Sequence, residues 1–172
     1  MLVQGDEAVD LWEASGTNIG VSFPVNLPQT GFLLTVAKDD DGDFVVDAVS
    51  TDGGYLPRNI AVPKTWAMVK LEALTPLEMA MKLSSNPARM FGLTSKGHLS
   101  QGADADITVV DPDTGNATLS LASGKVIMLN GRAVGSGGTL LVTKDGEDAA
   151  KKTGLGYHVV DLACSKLYKG WS

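Results

Sequence analysis

Nitrogen and sulfur ligands are scarce in this chain. Its 172 residues hold two histidines, His98 and His158, and one cysteine, Cys164. A lone cysteine excludes an internal disulfide and a cysteine-based zinc site. Clustered positive charge is missing too: 14 Lys and Arg stand against 20 Asp and Glu, for a formal net charge of −6. The nearest thing to a basic cluster is Lys151-Lys152. A field of that sign repels phosphate backbones and argues against nucleic acid as a partner. No apolar run approaches the ~18 residues of a membrane span. The opening MLVQGDEAVD is acidic where a signal peptide would be basic. The chain therefore reads as cytoplasmic, with no membrane partner. No GxSxG is present, and Gly135-Ser136-Gly137-Gly138 lacks the Lys-Ser/Thr of a phosphate loop. No repeat of fixed period and no low-complexity linker interrupts the chain.

What is present suffices for a folded domain. Hydrophobic residues make up 44% and charged residues 20%, and a chain of this length buries roughly 70% of its unfolded surface. Residues 6–14 place Ala8, Val9, Leu11 and Trp12 near one helical face, behind acids that suit the positive end of the helix dipole. Residues 18–25 alternate as a half-buried strand, with Pro24 and Pro28 arguing for an edge or an early stop. A second apolar run, 32–37, precedes the acidic tract Asp39-Asp40-Asp41-Gly42-Asp43. That tract reads as a solvated turn with Asp41-Gly42 at its tip. A calcium loop would need its glycine elsewhere and a Glu where Ser50 stands.

Residues 44–50 are apolar and β-branched, as in a buried parallel strand, and run into Thr51-Asp52-Gly53-Gly54. A helix is expected over 63–74. Thr75-Pro76-Leu77-Glu78 is a capping box with proline at the first helical position. Ser84-Ser85-Asn86-Pro87 reads as one helix stopping and the next starting, with Asn86 as its cap and Gly92 near its end. Beyond Thr94 the pattern turns to short strands at 107–110, 118–121, 126–129, 132–134 and 140–143. Asn130-Gly131 is a type I′ hairpin signal. The tail 145–156 is polar, and 158–162 is one more strand or an anchoring extension. His98 reads as a surface turn residue, His158 as a packing or edge residue, and Cys164 as a buried structural thiol.

Three segments taken together resemble a known family: STDGG after an apolar strand, then LTPLEMAMKLSSNPARMFGL, then KGHLSQGADADITVVD. In this order they are similar to the carboxy-terminal portion of the metal-dependent amidohydrolase superfamily, the branch with dihydroorotases, hydantoinases, enamidases and D-aminoacylases. The likeness covers residues 45–135. It implies an α/β-plus-β fold in which a partial (β/α) barrel carboxy-terminal segment, residues 1–95, is followed by a β-sandwich-type half, residues 96–172. A complete barrel of that kind takes ~250 residues. The resemblance also implies a metal-activated water acting on an amide or cyclic amide substrate, with zinc or another divalent metal in a complete member. Asp52 is the one residue it assigns, as metal ligand and proton shuttle.

The early His-x-His, the bridging Lys or Glu and the two further histidines expected before that aspartate have no counterpart here, since both histidines follow Asp52. Catalytic zinc usually takes three protein ligands. The expectation is a fragment that binds no cofactor alone and is silent alone. It would self-associate or meet a complementing chain; the alternative is a non-catalytic module that docks on a partner.

Overall fold

The computed structural model describes residues 3–16, 27–51, 59–136 and 138–164. The chain divides into two compact units, Met1–Leu33 and Leu34–Ser172. In the first, α1 (Asp6–Ser15) carries Asp6 and Glu7 in its first turn and is bracketed by Gly5 and Gly16, both at positive φ. Its apolar residues Val9, Leu11 and Trp12 stay exposed. The strand expected at 18–25 lies outside the described residues. The apolar run 32–37 lies mostly in a helix, α2 (Pro28–Val36), which spans the boundary of the units.

The second unit opens on the acidic tract, and it is a turn. Asp39 Oδ1 accepts from the N–H groups of Asp41 (3.1 Å) and Asp43 (2.9 Å), Gly42 takes φ 85°, and an isolated bridge pairs Lys38 with Phe44. The strand expected over 44–50 is not seen: beyond that bridge residues 45 and 46 are bends, and the segment has no ladder partner among the described residues. β-branched, apolar content suits a strand only where neighbours are there to pack and pair with it.

Helices follow. α3 (Ala61–Lys70) begins two residues earlier and ends four residues sooner than expected. The chain leaves it through Glu72 at φ 58°. α4 (Pro76–Ala80) starts on the capping box, with Thr75 Oγ1 accepting from Glu78 N–H and Glu78 Oε2 accepting from Thr75 N–H. The expected break at Ser84–Pro87 is absent. A π-helical turn (Met81–Ser85) runs straight into α5 (Asn86–Met90), and Asn86 is helical rather than a cap, its N–H bonded to Met81 O. Pro87, the second residue of α5, has no N–H to give the preceding turn. Gly92 then closes the helix at φ 65°.

The remainder is β. A four-stranded antiparallel sheet runs in sequence order: β1 (Ile107–Val110), β2 (Ala117–Ala122), β3 (Lys125–Leu129) and β4 (Arg132–Ala133). Asn130 and Gly131, at φ 48° and 76°, make the hairpin turn the sequence specifies, and Ser123-Gly124 makes a second of the same kind. β5 (Leu140–Val142) and β6 (Tyr157–Val159) pair in parallel across α6 (Glu147–Thr153), a helix inside the tail that reads only as polar. Its residue Ala150 is buried, and Glu147 meets Lys144 and Lys151 one turn apart on either side.

α3 is fastened to the β1–β2 turn. Trp66 Nε1 donates to Pro112 O at 2.9 Å and Lys70 Nζ to Asp113 O at 2.6 Å. Lys96 bridges Asp104 and Asp106, and Asp106 also accepts from Ser123 N–H. These ties bind the loop after α5 to the sheet. At its start Gly97 sits at φ 80°, where a Cβ would fall 2.7 Å from Ala88 Cβ and 2.8 Å from Ser84 O. Gly97→Ala is expected to lose about 2–4 kcal/mol of stability from combined backbone strain and overpacking, measured by urea unfolding. A loss within error would show that α5 and this loop do not pack as described.

Candidate functional site

Asp52 lies outside the described residues, so the site is built from the chain that leads to it. Residues 45 and 46 are bends and 47–51 are irregular, and main-chain groups in such a segment need partners once removed from water. The helical run supplies them. Lys82 Nζ donates to Val46 O, Asn86 Nδ2 donates to Asp47 O at 2.8 Å, and Val49 N–H donates to Lys82 O at 3.3 Å.

Lys82 is fully buried, at 0% relative exposure, and Asn86 at 5%. An ammonium taken out of water is tolerated only where groups of negative character surround it. Here they are the Val46 carbonyl, the face of Phe44 with Nζ 3.8 Å from the ring centroid, and the charges of Asp47 and Glu78. Burial pushes the Lys82 ammonium below the usual lysine range, while Asp47 and Glu78 oppose that shift. Asn86 Oδ1 is buried with no donor among the described residues.

A second layer holds Phe44 beneath the ammonium. Lys38, at the foot of the acidic turn, donates to Glu78 Oε1 at 2.6 Å, and its Nζ lies 4.9 Å from the Phe44 centroid. Lys38, then the amide and hydroxyl of Thr75, lower the Glu78 carboxyl from 4.5 to about 2. One carboxylate thus closes the helix cap and latches the turn.

The other chemistry-bearing residues stand apart from this cluster. His98 is exposed, with Nε2 2.9 Å from Thr94 O, as a surface turn residue should be. His158 is exposed on β6. Cys164 is exposed rather than buried. The turn Leu162–Cys164 folds its thiol back onto Asp161 Oδ2 at 3.4 Å, and that carboxylate pushes the thiol up from its usual pKa. A shallow cleft of about 310 Å³ is lined by Arg89, Thr94, Lys96, His98 and Cys164 among others.

Among the described residues no three His, Cys, Asp or Glu side chains come together as a metal would require. Their donor set does not fit a resident catalytic metal. Sequence reasoning missed Lys82 and Asn86. The available signal was a cation inside the apolar run Met79-Ala80-Met81-Lys82-Leu83, four residues before a carboxamide.

A model of the amidohydrolase family matches residues 35–134. A dihydroorotase of Pelotomaculum thermopropionicum is 46% identical over 61 residues, 35% of this chain and 14% of that protein. A dihydroorotase of Halobacterium salinarum is 57% identical over 30 residues, 17% of this chain and 7% of that protein. Among solved structures, the β-aspartyl dipeptidase of Fervidobacterium islandicum in complex with β-Asp-Leu dipeptide shares 28% identity. That likeness covers 58% of this chain and 24% of the other, with a TM-score of 0.40. The chain thus spans a small part of the length of each of these relatives.

The Glu78 latch has a pH signature. A carboxyl whose folded-state pKa lies below its unfolded value stabilises the fold above the unfolded value and loses that contribution as the pH falls through the folded one. The window here runs from 4.5 down to about 2. Urea unfolding of Glu78→Gln is expected to give lower stability than the parent at pH 7, with the difference closing as the pH falls through that window. A difference that does not change with pH would show that the charge on Glu78 is immaterial.

Proposed function

Because this chain belongs to the amidohydrolase family, we propose that it supplies the Asp52-bearing, carboxy-terminal part of a hydrolase for carbon–nitrogen bonds in amides or cyclic amides. The observation that carries this reading is the family match through residues 35–134, which brackets Asp52. In the proposal Asp52 is the carboxylate presented to the reacting centre. Residues 1–95 form the partial barrel, and residues 96–172 the sandwich-type half. The remaining ligands come from polypeptide outside this sequence, because the two histidines here both follow Asp52. A second copy of the chain brings no new ligand type, so self-association alone does not complete the site.

The same reading gives the chain no metal of its own and no turnover by itself. It also places the protein in the cytoplasm. No helix among the described residues is long and apolar enough to cross a membrane. A second reading, a non-catalytic module that docks on a partner, is favoured by leucines left in solvent: Leu71, Leu77 and Leu99 are each at least 70% exposed.

The test is metal analysis of the purified chain together with hydrolysis assays on a hydantoin and an N-acyl amino acid, with and without added zinc. Substoichiometric metal and no turnover are expected. Stoichiometric zinc with turnover that Asp52→Asn abolishes would overturn the claim that the chain is silent alone. Light scattering checks the exposed surface separately: assemblies larger than one chain are expected at high concentration, and a strict monomer would count against self-association.

A further inference from the structure

The ties between the helical run and residues 46–49 converge on one place and run both ways. Two buried side chains, Lys82 and Asn86, donate to the carbonyls of two successive residues, Val46 and Asp47. In return, the main chain of Lys82 accepts the N–H of Val49. Lys82 and Asn86 are four residues apart in a continuous helical run, with Asn86 N–H bonded back to Met81 O, and side chains at that spacing lie on one side of a helix. Segment 46–49 then leads through Ser50 and Thr51 to position 52.

We propose that Lys82 and Asn86 are positioning residues: they grip the Val46 and Asp47 carbonyls and thereby fix the main chain that delivers Asp52, without touching substrate. This rests on the role proposed above for Asp52. Two features favour a grip over plain packing. An apolar side chain would fill the Lys82 slot at no electrostatic cost, yet the slot holds a cation, which burial penalises. Asn86, too, occupies a closed environment where only its Nδ2 finds a partner among the described residues. Both side chains place a donor on a main-chain carbonyl of a segment that has no ladder partner among the described residues.

The test reads segment order and global stability separately, in the full chain, by amide hydrogen exchange followed by NMR. Val49 is the reporter, because its bond goes to the main chain of Lys82 and survives any side-chain change there. In Lys82→Met the apolar body of the side chain is kept and the donor lost. Thermal stability is expected to change little, the unpaired Val46 carbonyl being offset by removal of a buried ammonium, while Val49 exchanges about tenfold faster or more and the amides of Leu119 and Leu121 in β2 and Met128 in β3 keep their rates. Lys82→Arg, which keeps a donor, is expected to restore part of the Val49 protection. Asn86→Leu gives the same local pattern and carries the test if Lys82→Met does not fold.

Val49 protection within twofold of the parent in a folded Lys82→Met or Asn86→Leu protein overturns the proposal. So does uniform acceleration of all amides, or failure of both variants to fold, since the two residues would then hold up the core as a whole. The readout needs neither metal nor turnover. It therefore stands or falls independently of the assays on Asp52.

Discussion

A peptide segment with no ladder partner among the described residues must still find partners for its N–H and C=O groups, and this requirement organises the centre of the larger unit. Residues 44–51 have the composition of a sheet strand but are held by helix-borne groups. The solution places an ammonium at zero exposure, which is favourable only while its partners stay in place. A buried charge stripped of a partner costs several kcal/mol, far more than the pair contributes over apolar packing. The carbonyl of Val46 and the ring of Phe44 are therefore constrained as tightly as Lys82 itself. Phe44 stays put because Lys38 and Glu78 latch the acidic turn to the start of α4. Leu74, Met79 and Ala88 are buried apolar residues of the same stretch of chain.

Polar ties carry the order outward from there. Trp66 and Lys70 fasten α3 to main-chain carbonyls of the β1–β2 turn. That turn is itself shaped by Asp111, which accepts from the N–H groups of Asp113 and Thr114, and these bonds lower its carboxyl below the usual range. Gly115 is needed at the contact, because a Cβ there would meet the Trp66 ring at 2.7 Å. On the other side of the helical run, Lys96 holds Asp104 and Asp106 together and lies well above its usual protonation range for that reason. The β1–β4 sheet is thus referenced to the helices by carbonyls, carboxylates and two cations more than by apolar contact.

The sequence exposes those parts whose determinants are local. The hairpins at Asn130-Gly131 and the strands on either side follow from residues that must accept positive φ and from short alternating runs, and the structure agrees nearly residue for residue. The Thr75–Glu78 capping box is local in the same way. Residues 44–50 find no ladder partner among the described residues, and β-branched content is silent on whether another strand lies beside it. Asn86-Pro87 has the grammar of a helix start, and only the π turn before it makes the helix continuous. α6 escaped notice because its apolar content is little more than two alanines, its support coming instead from Glu147 between Lys144 and Lys151. Asp52 is assigned by its motif alone and lies outside the described residues. The buried place of Lys82 was not legible, because a lysine in a helical pattern reads as solvated until the packing on every side is known.

The family match ends at residue 134, so β5, α6 and β6 lie beyond it. They satisfy themselves: parallel pairing of 140–142 with 157–159, a crossover helix between them, and a Glu147 carboxyl lowered to about 2 by two lysines. The matched stretch contains the ties on 46–47, the latch at Glu78 and the four-stranded sheet. With one assigned carboxylate and donors that must come from elsewhere, the proposed contribution of this chain to catalysis is geometric. An error of about 1 Å in a reacting group can cost on the order of a hundredfold in rate, so a chain that brings a single group has most to gain from holding its approach rigid. The buried cation is the costly means by which that rigidity is obtained.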